Sequence, residues 1–262
     1  DTSYGSGAAY VFRYGGANWS QEKKLTAIDG ATGSGEDLFG YSVAISGTTV
    51  VVGAPGSGWI DGAEWVYGPG AAYVFWYNGA SWVSQGKLLP TGGGAEEDQF
   101  GSSVSISGDT IVVGAPFDDD GGVDAGAAYV FRFNGDTWEQ EARLTASDGA
   151  ADDNFGHAVG VSGNAIVVGA YLADLDSVID AGAAYAFQRS GTTWSPKGKL
   201  IEPDGRADAQ FGSSVAISGD TIAVGSPYQY GQGRAYAFRY NGASWPQEFM
   251  FANAGGQFGS SV

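Results

Sequence analysis

The sequence predicts an all-β fold, and within that class a β-propeller of four-stranded antiparallel blades. Three observations predict it: the composition, a set of short motifs that recurs along the chain, and the constant spacing of those motifs within each copy. Of the 262 residues, 45 are glycine and 14% are aromatic. Because glycine disfavours helix interiors and aromatic side chains favour strands, this composition is typical of a β protein.

Charge and cysteine content exclude several classes of function. The chain carries 12 Lys and Arg against 29 Asp and Glu, a formal net charge of −17. Such a surface repels phosphate backbones and anionic lipids, so we expect no nucleic-acid partner. No run of 18 apolar residues occurs, so we expect no membrane insertion. Without cysteine there is neither a disulfide framework nor a thiolate metal site.

An internal repeat organises the chain. Each copy contains a Phe-Gly pair, a Gly-Ala-Pro-like triplet, a strand-like segment similar to GAAYVF, and then a tryptophan. The Phe-Gly pairs begin at Phe39, Phe100, Phe155, Phe211 and Phe258, and the GAAYVF-like segments begin at Gly7, Gly70, Gly126, Gly182 and Gly233. We expect the recurring tyrosines and tryptophans to pack in the core between blades.

Constant and variable spacings separate strands from loops. From Phe-Gly to the triplet glycine is 14 residues in all four copies that have both, and from the GAAYVF tyrosine to its tryptophan is 9 in all five. Such constancy is typical of paired strands, whose register cannot slip. The segment from the triplet to GAAYVF instead runs 17, 12, 13 and 8 residues, which predicts a surface loop.

Each repeat therefore predicts four strands, named A to D in chain order. In one copy, strand A covers about Ser102–Ser107 and strand B about Thr110–Gly114. Strand C covers about Ala127–Phe133 and strand D about Thr137–Leu144. Short turns at Gly108-Asp109 and Asn134-Gly135 join A to B and C to D, as in β-hairpins.

Residues 100–116, FGSSVSISGDTIVVGAP, and the GAAYVF segment after them resemble the FG-GAP repeat family. Its best-known members are the integrin α-subunit propellers, and the match looks closer to the simpler bacterial repeats. The resemblance implies a non-enzymatic recognition or adhesion role, outside the cell or on its surface. It does not extend to the calcium loop of the integrins. Between strands A and B this chain has only turns such as Ser107-Gly108-Asp109, which are too short to enclose Ca²⁺.

The strand inventory predicts five blades in one domain over residues 1–262. The chain opens on strands C and D, continues through four complete repeats and stops inside a further strand A. We expect the fifth blade to be shared between the chain ends, with its strand B missing. The alternatives are that the chain is part of a longer, seven-bladed ring, or that another molecule supplies a strand to the incomplete blade.

An aromatic insertion is the predicted ligand-binding site. Trp59, Trp65 and Tyr67 lie in the longest B–C loop, outside the repeating strand positions. Flat rings on a loop can stack on a sugar or anchor a protein partner. The alternative is that the loop folds back and buries them.

Two acidic B–C loops are the predicted metal site. Three carboxylates within seven residues could supply oxygen ligands to Ca²⁺, the one cofactor that we consider; the alternative is a solvated loop in which these side chains form turns. The two triplets are Asp118, Asp120 and Asp124, and Asp174, Asp176 and Asp180.

No catalytic residues are predicted. His157 is the only histidine and there is no cysteine, so a zinc site of the usual form cannot be assembled. The acids that precede Phe-Gly, which we identify as Asp37, Asp98, Asp153 and Asp208, are expected to accept backbone N–H bonds at the turn into strand A.

The functional expectation is thus a secreted or cell-surface propeller that binds a protein or an assembly partner. One alternative is a lectin-like propeller that binds a glycan through the aromatic insertion. The other is a structural subunit that associates with itself through its incomplete blade.

Overall fold

A computed structural model describes residues 6–29, 37–61, 64–66, 68–228, 231–252 and 257–262 of the chain. Every regular element in these residues is a β-strand. None of them belongs to a helix long and apolar enough to cross a membrane. The all-β prediction is confirmed.

The first sheets hold eight strands. A two-stranded sheet, named here the half-blade, precedes the first four-stranded sheet, blade 1, and a separate small hairpin lies in the B–C loop of blade 1. The half-blade is β1 (Ala9–Tyr14) and β2 (Trp19–Leu25); blade 1 is β3 (Ser42–Ser46), β4 (Thr49–Ala54), β7 (Ala71–Tyr77) and β8 (Trp82–Leu88), and the hairpin is β5 (Trp59–Asp61) and β6 (Glu64–Val66).

Three more sheets repeat the order A-B-C-D with antiparallel neighbours, which confirms the predicted four-stranded unit. Blade 2 is β9 (Ser103–Ser107), β10 (Thr110–Ala115), β11 (Ala127–Phe133) and β12 (Trp138–Leu144); blade 3 is β13 (Phe155–Ser162), β14 (Ala165–Ala170), β15 (Ala183–Ser190) and β16 (Thr193–Leu200); blade 4 is β17 (Ser214–Ser218), β18 (Thr221–Ser226), β19 (Arg234–Arg239) and β20 (Gln247–Ala252).

The Phe-Gly motif joins neighbouring blades. The ring of Phe100 packs inside its own blade, 5.4 Å from the ring of Tyr129. Its backbone forms a parallel bridge to Gly70, the residue that opens strand C of the preceding blade. A Cβ on Gly70 would lie 2.3 Å from the carbonyl oxygen of Phe100, so this position accepts only glycine. The same bridge occurs at Gly7–Phe39, Gly126–Phe155 and Gly182–Phe211.

The two ends of the array leave core positions uncovered. Trp19 is 69% exposed, whereas the equivalent Trp82 is 7% exposed. Phe251 is 52% exposed, whereas the equivalent Leu200 is 4% exposed. The core prediction was therefore wrong for Trp19 and for Tyr10, which is 51% exposed, because no described blade precedes them.

Within the described residues, no strand pairing joins the half-blade to blade 4. The structure thus shows propeller-type blades whose array is not closed. The count of five blades stays a prediction.

Candidate functional site

A cleft opens between blades 1 and 2 on the side that carries the B–C and D–A loops, named here the loop face. Its volume is about 480 Å³. We call it the loop-face cleft, and its lining combines apolar rings with carboxylates. The lining residues are Leu38, Tyr41, Pro55, Gly56, Gly68, Glu96, Glu97, Gln99, Phe117, Asp119 and Asp124.

Backbone strain holds several of these side chains in place. Leu38, Glu97, Gln99 and Asp124 all have positive φ, between 50° and 67°. Non-glycine residues rarely adopt this region, and such residues often mark functional or tightly constrained loops. A hydrogen bond between two loops fixes the backbone here, since the backbone N–H of Glu97 donates to the carbonyl of Gly68, 3.2 Å away. The D–A loop of one blade is thereby tied to the B–C loop of the same blade.

The cleft is electrostatically negative. Four carboxylates line it, and its lining includes no lysine or arginine. Burial first, and then the charges of Asp119, Asp152 and Glu97, raise the pKa of Asp124. A raised carboxyl pKa means that the anion is held at an energetic cost, which a bound cation would relieve.

A second acidic group continues along the loop face. Burial, followed by the charges of Asp174, Asp208 and Asp152, raises the pKa of Asp180. Asp152 is thus close enough to repel both Asp124 and Asp180. The acidic surface therefore extends from the loop-face cleft towards blades 3 and 4.

Three aromatic side chains, Tyr41, His157 and Tyr171, lie on the loop face near these acids. The ring of His157 lies 4.2 Å from that of Tyr171. Burial, together with Asp180 and Tyr41, raises the pKa of Tyr171. Burial alone lowers the pKa of His157, which favours the neutral imidazole. Tyr41 itself is 66% exposed and offers a free ring face at the cleft.

The first predicted calcium triplet is divided between two tasks. Asp118 is buried, binds the guanidinium of Arg143 and accepts the hydroxyl hydrogen of Tyr129 at 2.5 Å. Asp120 lies 3.6 Å from the same guanidinium. Asp124 lines the loop-face cleft instead.

The second triplet forms local turns. The side chain of Asp174 accepts the backbone N–H of Asp180 at 2.9 Å, and Asp176 and Asp180 have positive φ. Over the described parts of the chain, no three His, Cys, Asp or Glu side chains are arranged to hold a metal ion. The calcium site therefore stays a prediction without geometric support, because Asp118 already has a cation.

The aromatic insertion is a hairpin at the edge of the loop-face cleft. Trp59 pairs with Val66, and Ile60 pairs with Trp65. Pro55, Gly56 and Gly68, which flank this hairpin in the chain, line the cleft. Tyr67 lies outside the described residues. The predicted binding segment and the cleft are thus adjacent.

The acids before Phe-Gly behave largely as predicted. The side chains of Asp98 and Asp153 are buried and accept the backbone N–H groups of Ala95 and Ala150. Asp208 was assigned to this set wrongly, since Ala209 occupies the equivalent position two residues before Phe211. Asp208 has positive φ and belongs instead with Glu97 and Asp152.

Sequence reasoning missed a recurring tyrosine–carboxylate pair. In each complete blade, a carboxylate accepts the hydroxyl of the strand-C tyrosine. Asp29 and Asp148 occupy the same repeat position in a D–A loop, whereas Glu202 lies two positions earlier in its D–A loop and Asp118 lies in a B–C loop, so the repeat pattern hid the group. The pairs are Tyr73–Asp29, Tyr129–Asp118, Tyr185–Asp148 and Tyr236–Glu202.

Solved structures match the chain at low sequence identity. A Bacteroides uniformis protein provisionally named a 6-phosphogluconolactonase matches 92% of this chain with a TM-score of 0.60 at 12% identity. The chain spans 63% of that protein. A Lactobacillus plantarum protein and the Aleuria aurantia lectin in complex with α-methyl-L-fucoside each match with a TM-score of 0.48, also at 12% identity. The alignments cover 89% of this chain and 59% of the first protein, and 92% of this chain and 69% of the lectin.

No curated protein matches the chain in sequence. The profile of the FG-GAP repeat, however, matches it four times, over residues 19–75, 82–131, 138–187 and 194–238. These matches cover most of the chain, and each runs from strand D of one sheet to strand C of the next. The chain belongs to the FG-GAP repeat family.

Proposed function

We propose that the chain is a non-enzymatic recognition propeller, outside the cell or on its surface, that binds a basic protein segment at the loop-face cleft. The observation that carries the proposal is the lining of that cleft: four carboxylates, no lysine or arginine, and exposed apolar and aromatic surface. Membership of the FG-GAP repeat family supports both a binding role and a location outside the cell or on its surface, because the resemblance to that family implies both.

The chemistry of the cleft favours lysine and arginine side chains as ligands. Their aliphatic stems can pack on Tyr41, Leu38 and Phe117, while their charged groups meet Asp119 and Asp124. An arginine or lysine over an exposed tyrosine ring adds a cation–π contact. The long-range attraction of the acidic loop face would speed association and make it salt-dependent.

A peptide comparison tests the proposal. The probes are a lysine- and arginine-rich peptide and a glutamate-rich peptide of the same length, with binding measured by titration calorimetry. We expect the basic peptide alone to bind, with an affinity that falls as salt is added. The double variant Asp119→Asn with Asp124→Asn should weaken binding about tenfold or more, since one lost ionic contact of this kind is worth on the order of 1.4 kcal/mol.

The matched control is Asp109→Asn with Asp136→Asn. It removes the same charge from the A–B and C–D turns of blade 2, at the opposite ends of its strands. Asparagine also keeps the side-chain oxygen of Asp119 that accepts the backbone N–H of Asp124 at 2.8 Å. Equal loss in both double variants, or equal binding of both peptides, would contradict the cleft as the site.

A glycan is the second candidate ligand. The β5–β6 hairpin, whose strands contain Trp59 and Trp65, lies outside any blade and next in the chain to residues that line the cleft. A glycan array with the wild-type chain and with Trp59→Ala and Trp65→Ala separates the two functions. Specific hits that both substitutions abolish would favour the glycan over the basic segment.

A further inference from the structure

A second pocket lies beside the loop-face cleft, between the D–A loop that leads into blade 2 and the B–C loop of blade 2. Its volume is about 280 Å³, and Asp119 lines both this pocket and the cleft. Gly92 and Asp120 are exposed and lie at its rim. Asp98, which is buried, belongs to its floor. The pocket is therefore open to solvent and ends on a buried carboxyl group.

Asp98 is a buried carboxylate without a cation. It is 4% exposed, and its Oδ2 accepts the backbone N–H of Ala95 at 2.7 Å. Over the described residues, no lysine or arginine forms an ion pair with it. By contrast, the buried side chains of Asp118 and Glu202 both pair with arginine. Burial is the first cause that raises the pKa of Asp98 to about 6, so at pH 7 its anion is held at a cost that a cation would relieve.

The equivalent aspartate at the next blade boundary has a lysine near it. Asp153 occupies the repeat position of Asp98 and accepts the backbone N–H of Ala150 at 2.9 Å in the same way. Burial raises the pKa of Asp153, but the positive charge of Lys199 opposes this increase. The ammonium of Lys199 is held by Asp148, whose carboxylate accepts it at 2.7 Å. The chain itself thus supplies a lysine ammonium near the aspartate that corresponds to Asp98.

The boundary between blades 1 and 2 lacks both members of that aspartate–lysine pair. Gly92 occupies the repeat position of Asp148, since each is the fourth residue after the last leucine of strand D. Arg143 occupies the position of Lys199, since each lies opposite the strand-C tyrosine of its own blade. The guanidinium of Arg143 binds Asp118 in the B–C loop instead. The pocket therefore lies where an aspartate and a lysine are found at the next boundary.

We propose that this pocket, named here the lysine pocket, binds the ammonium group of a lysine side chain from a ligand. The proposal rests on the proposed function, since the basic segment that occupies the loop-face cleft supplies the lysine. Because Asp119 lines both sites, neighbouring side chains of one segment can enter the cleft and the pocket. The ligand's ammonium then lies near Asp98 as that of Lys199 lies near Asp153.

The floor of the lysine pocket favours lysine over arginine. A guanidinium binds best to a carboxylate whose two oxygens are both available. Oδ2 of Asp98 already accepts the backbone N–H of Ala95. Both oxygens of Asp118 are also engaged, one by Arg143 and the other by Tyr129. A compact ammonium group needs no such pair of oxygens, so the pocket adds a preference for lysine to the attraction of the cleft for positive charge.

Two peptides of equal length and charge test the proposal. Lysine is the basic residue of one and arginine that of the other, and titration calorimetry measures their binding at pH 7. We expect the wild-type chain to bind the lysine peptide more tightly. Asp98→Asn, which keeps a side-chain oxygen for the N–H of Ala95, should weaken binding of the lysine peptide about tenfold. It should change binding of the arginine peptide by less than about twofold, since only the lysine contact is lost.

The matched control is Asp153→Asn, the same substitution at the equivalent buried position, where Lys199 already lies nearby. It should bind both peptides as the wild type does. If Asp98→Asn binds the lysine peptide as tightly as the wild type, or loses no more affinity than Asp153→Asn, the lysine pocket is overturned while the cleft remains a site for basic segments. If neither peptide binds the wild-type chain, the proposed function fails together with the lysine pocket.

Carboxyl-carbon NMR of the wild-type chain gives an independent measurement that does not depend on a variant's affinity. The signal of Asp98 is identified as the one that is missing from the spectrum of Asp98→Asn, and the signal of Asp153 is identified in the same way. We expect the lysine peptide to shift the Asp98 signal and to leave the Asp153 signal in place. A lysine peptide that binds without moving the Asp98 signal would show that its ammonium groups lie elsewhere and would overturn the lysine pocket.

Discussion

At the scale of single residues, a carboxylate links the strand-C tyrosine of each complete blade to a nearby cation. Glu202 is the most enclosed of these carboxylates: its side chain accepts from Arg206, Arg234 and Tyr236 at 2.7 to 2.8 Å. Ser226 adds a further hydroxyl donor at 3.3 Å. Removal of this buried carboxylate would leave each of these donors without its partner.

Replacement of Glu202 should therefore destabilise the fold strongly. Glu202→Gln keeps the volume but turns an NH₂ group towards cationic donors, so we expect a loss of about 3 kcal/mol in the free energy of unfolding. Urea denaturation measures it. The exposed partner Asp204 serves as the control: Asp204→Asn should cost less than about 1 kcal/mol. An equal loss of stability in the two variants would show that burial of Glu202 does not determine its contribution to stability.

Asp98 gives a residue-scale prediction about pH. Burial, opposed by the hydrogen bond from Ala95 and reinforced by Asp118, Asp119 and Asp120, raises the pKa of Asp98 to about 6. The folded state therefore binds a proton at Asp98 more tightly than the unfolded state does, because the pKa of an unperturbed aspartate is about 4. Stability from this group is present below about pH 4 and is lost as the pH rises through about 6.

Asp98→Asn should flatten that profile. Since the amide cannot ionise, the variant should be more stable than wild type at pH 7, by on the order of 2 kcal/mol at most, and similar to it at pH 4. Denaturant midpoints across this pH range provide the measurement. A variant whose stability falls with pH as steeply as that of wild type would contradict the assignment to Asp98.

At the scale of elements, the repeated motifs are explained by how closely blades approach. A Cβ on Gly114, the glycine of the Gly-Ala-Pro triplet in blade 2, would lie 1.9 Å from the carbonyl oxygen of Gly156 in blade 3. Ser103 Oγ donates to that same oxygen at 2.8 Å. Strand B of one blade thus touches the Phe-Gly of the next, so the triplet and Phe-Gly are two sides of one contact.

Gly114→Ala should separate blades 2 and 3. We expect a loss of about 3 kcal/mol, the upper range for overpacking, because backbone blocks the new methyl group. The matched control is Gly121→Ala in the neighbouring B–C loop, where the nearest atom to a Cβ would be 3.5 Å away, an ordinary contact. The control should change stability by less than about 1 kcal/mol. Thermal unfolding of both variants compares them directly.

At the scale of the whole molecule, the net charge of −17 works against compactness. Among the described residues, the carboxyl pKa values of Asp98, Asp124, Asp153 and Asp180 are all raised, burial being the first cause in each. Salt screens the repulsion between exposed acids. We therefore expect the melting temperature at pH 7 to rise with sodium chloride and the increase to be smaller at pH 5. A melting temperature that does not respond to salt at either pH would contradict this.

The sequence by itself determined the repeat, the four strands of each blade, and their hairpin turns. Strand B, predicted from Thr110 to Gly114, ends one residue later at Ala115, and strand C coincides with β11. These features follow from local chemistry. Glycine occurs at the turns, the strands contain alternating or continuous apolar residues, and the motif spacings are constant because paired strands must keep their register. The Phe-Gly motif and the residues next to it are enough to predict these strands and turns within a single repeat.

Only the tertiary structure decided which side chains from different copies meet. It placed Asp118 on Arg143 and Tyr129, placed the Trp59 hairpin beside an acidic cleft, and left Trp19 exposed in the half-blade. The physical reason is that these contacts depend on loop paths and on the distance between blades. The spacing of motifs within a repeat predicts neither the loop paths nor the distance between blades, because the residues in contact come from distant parts of the chain.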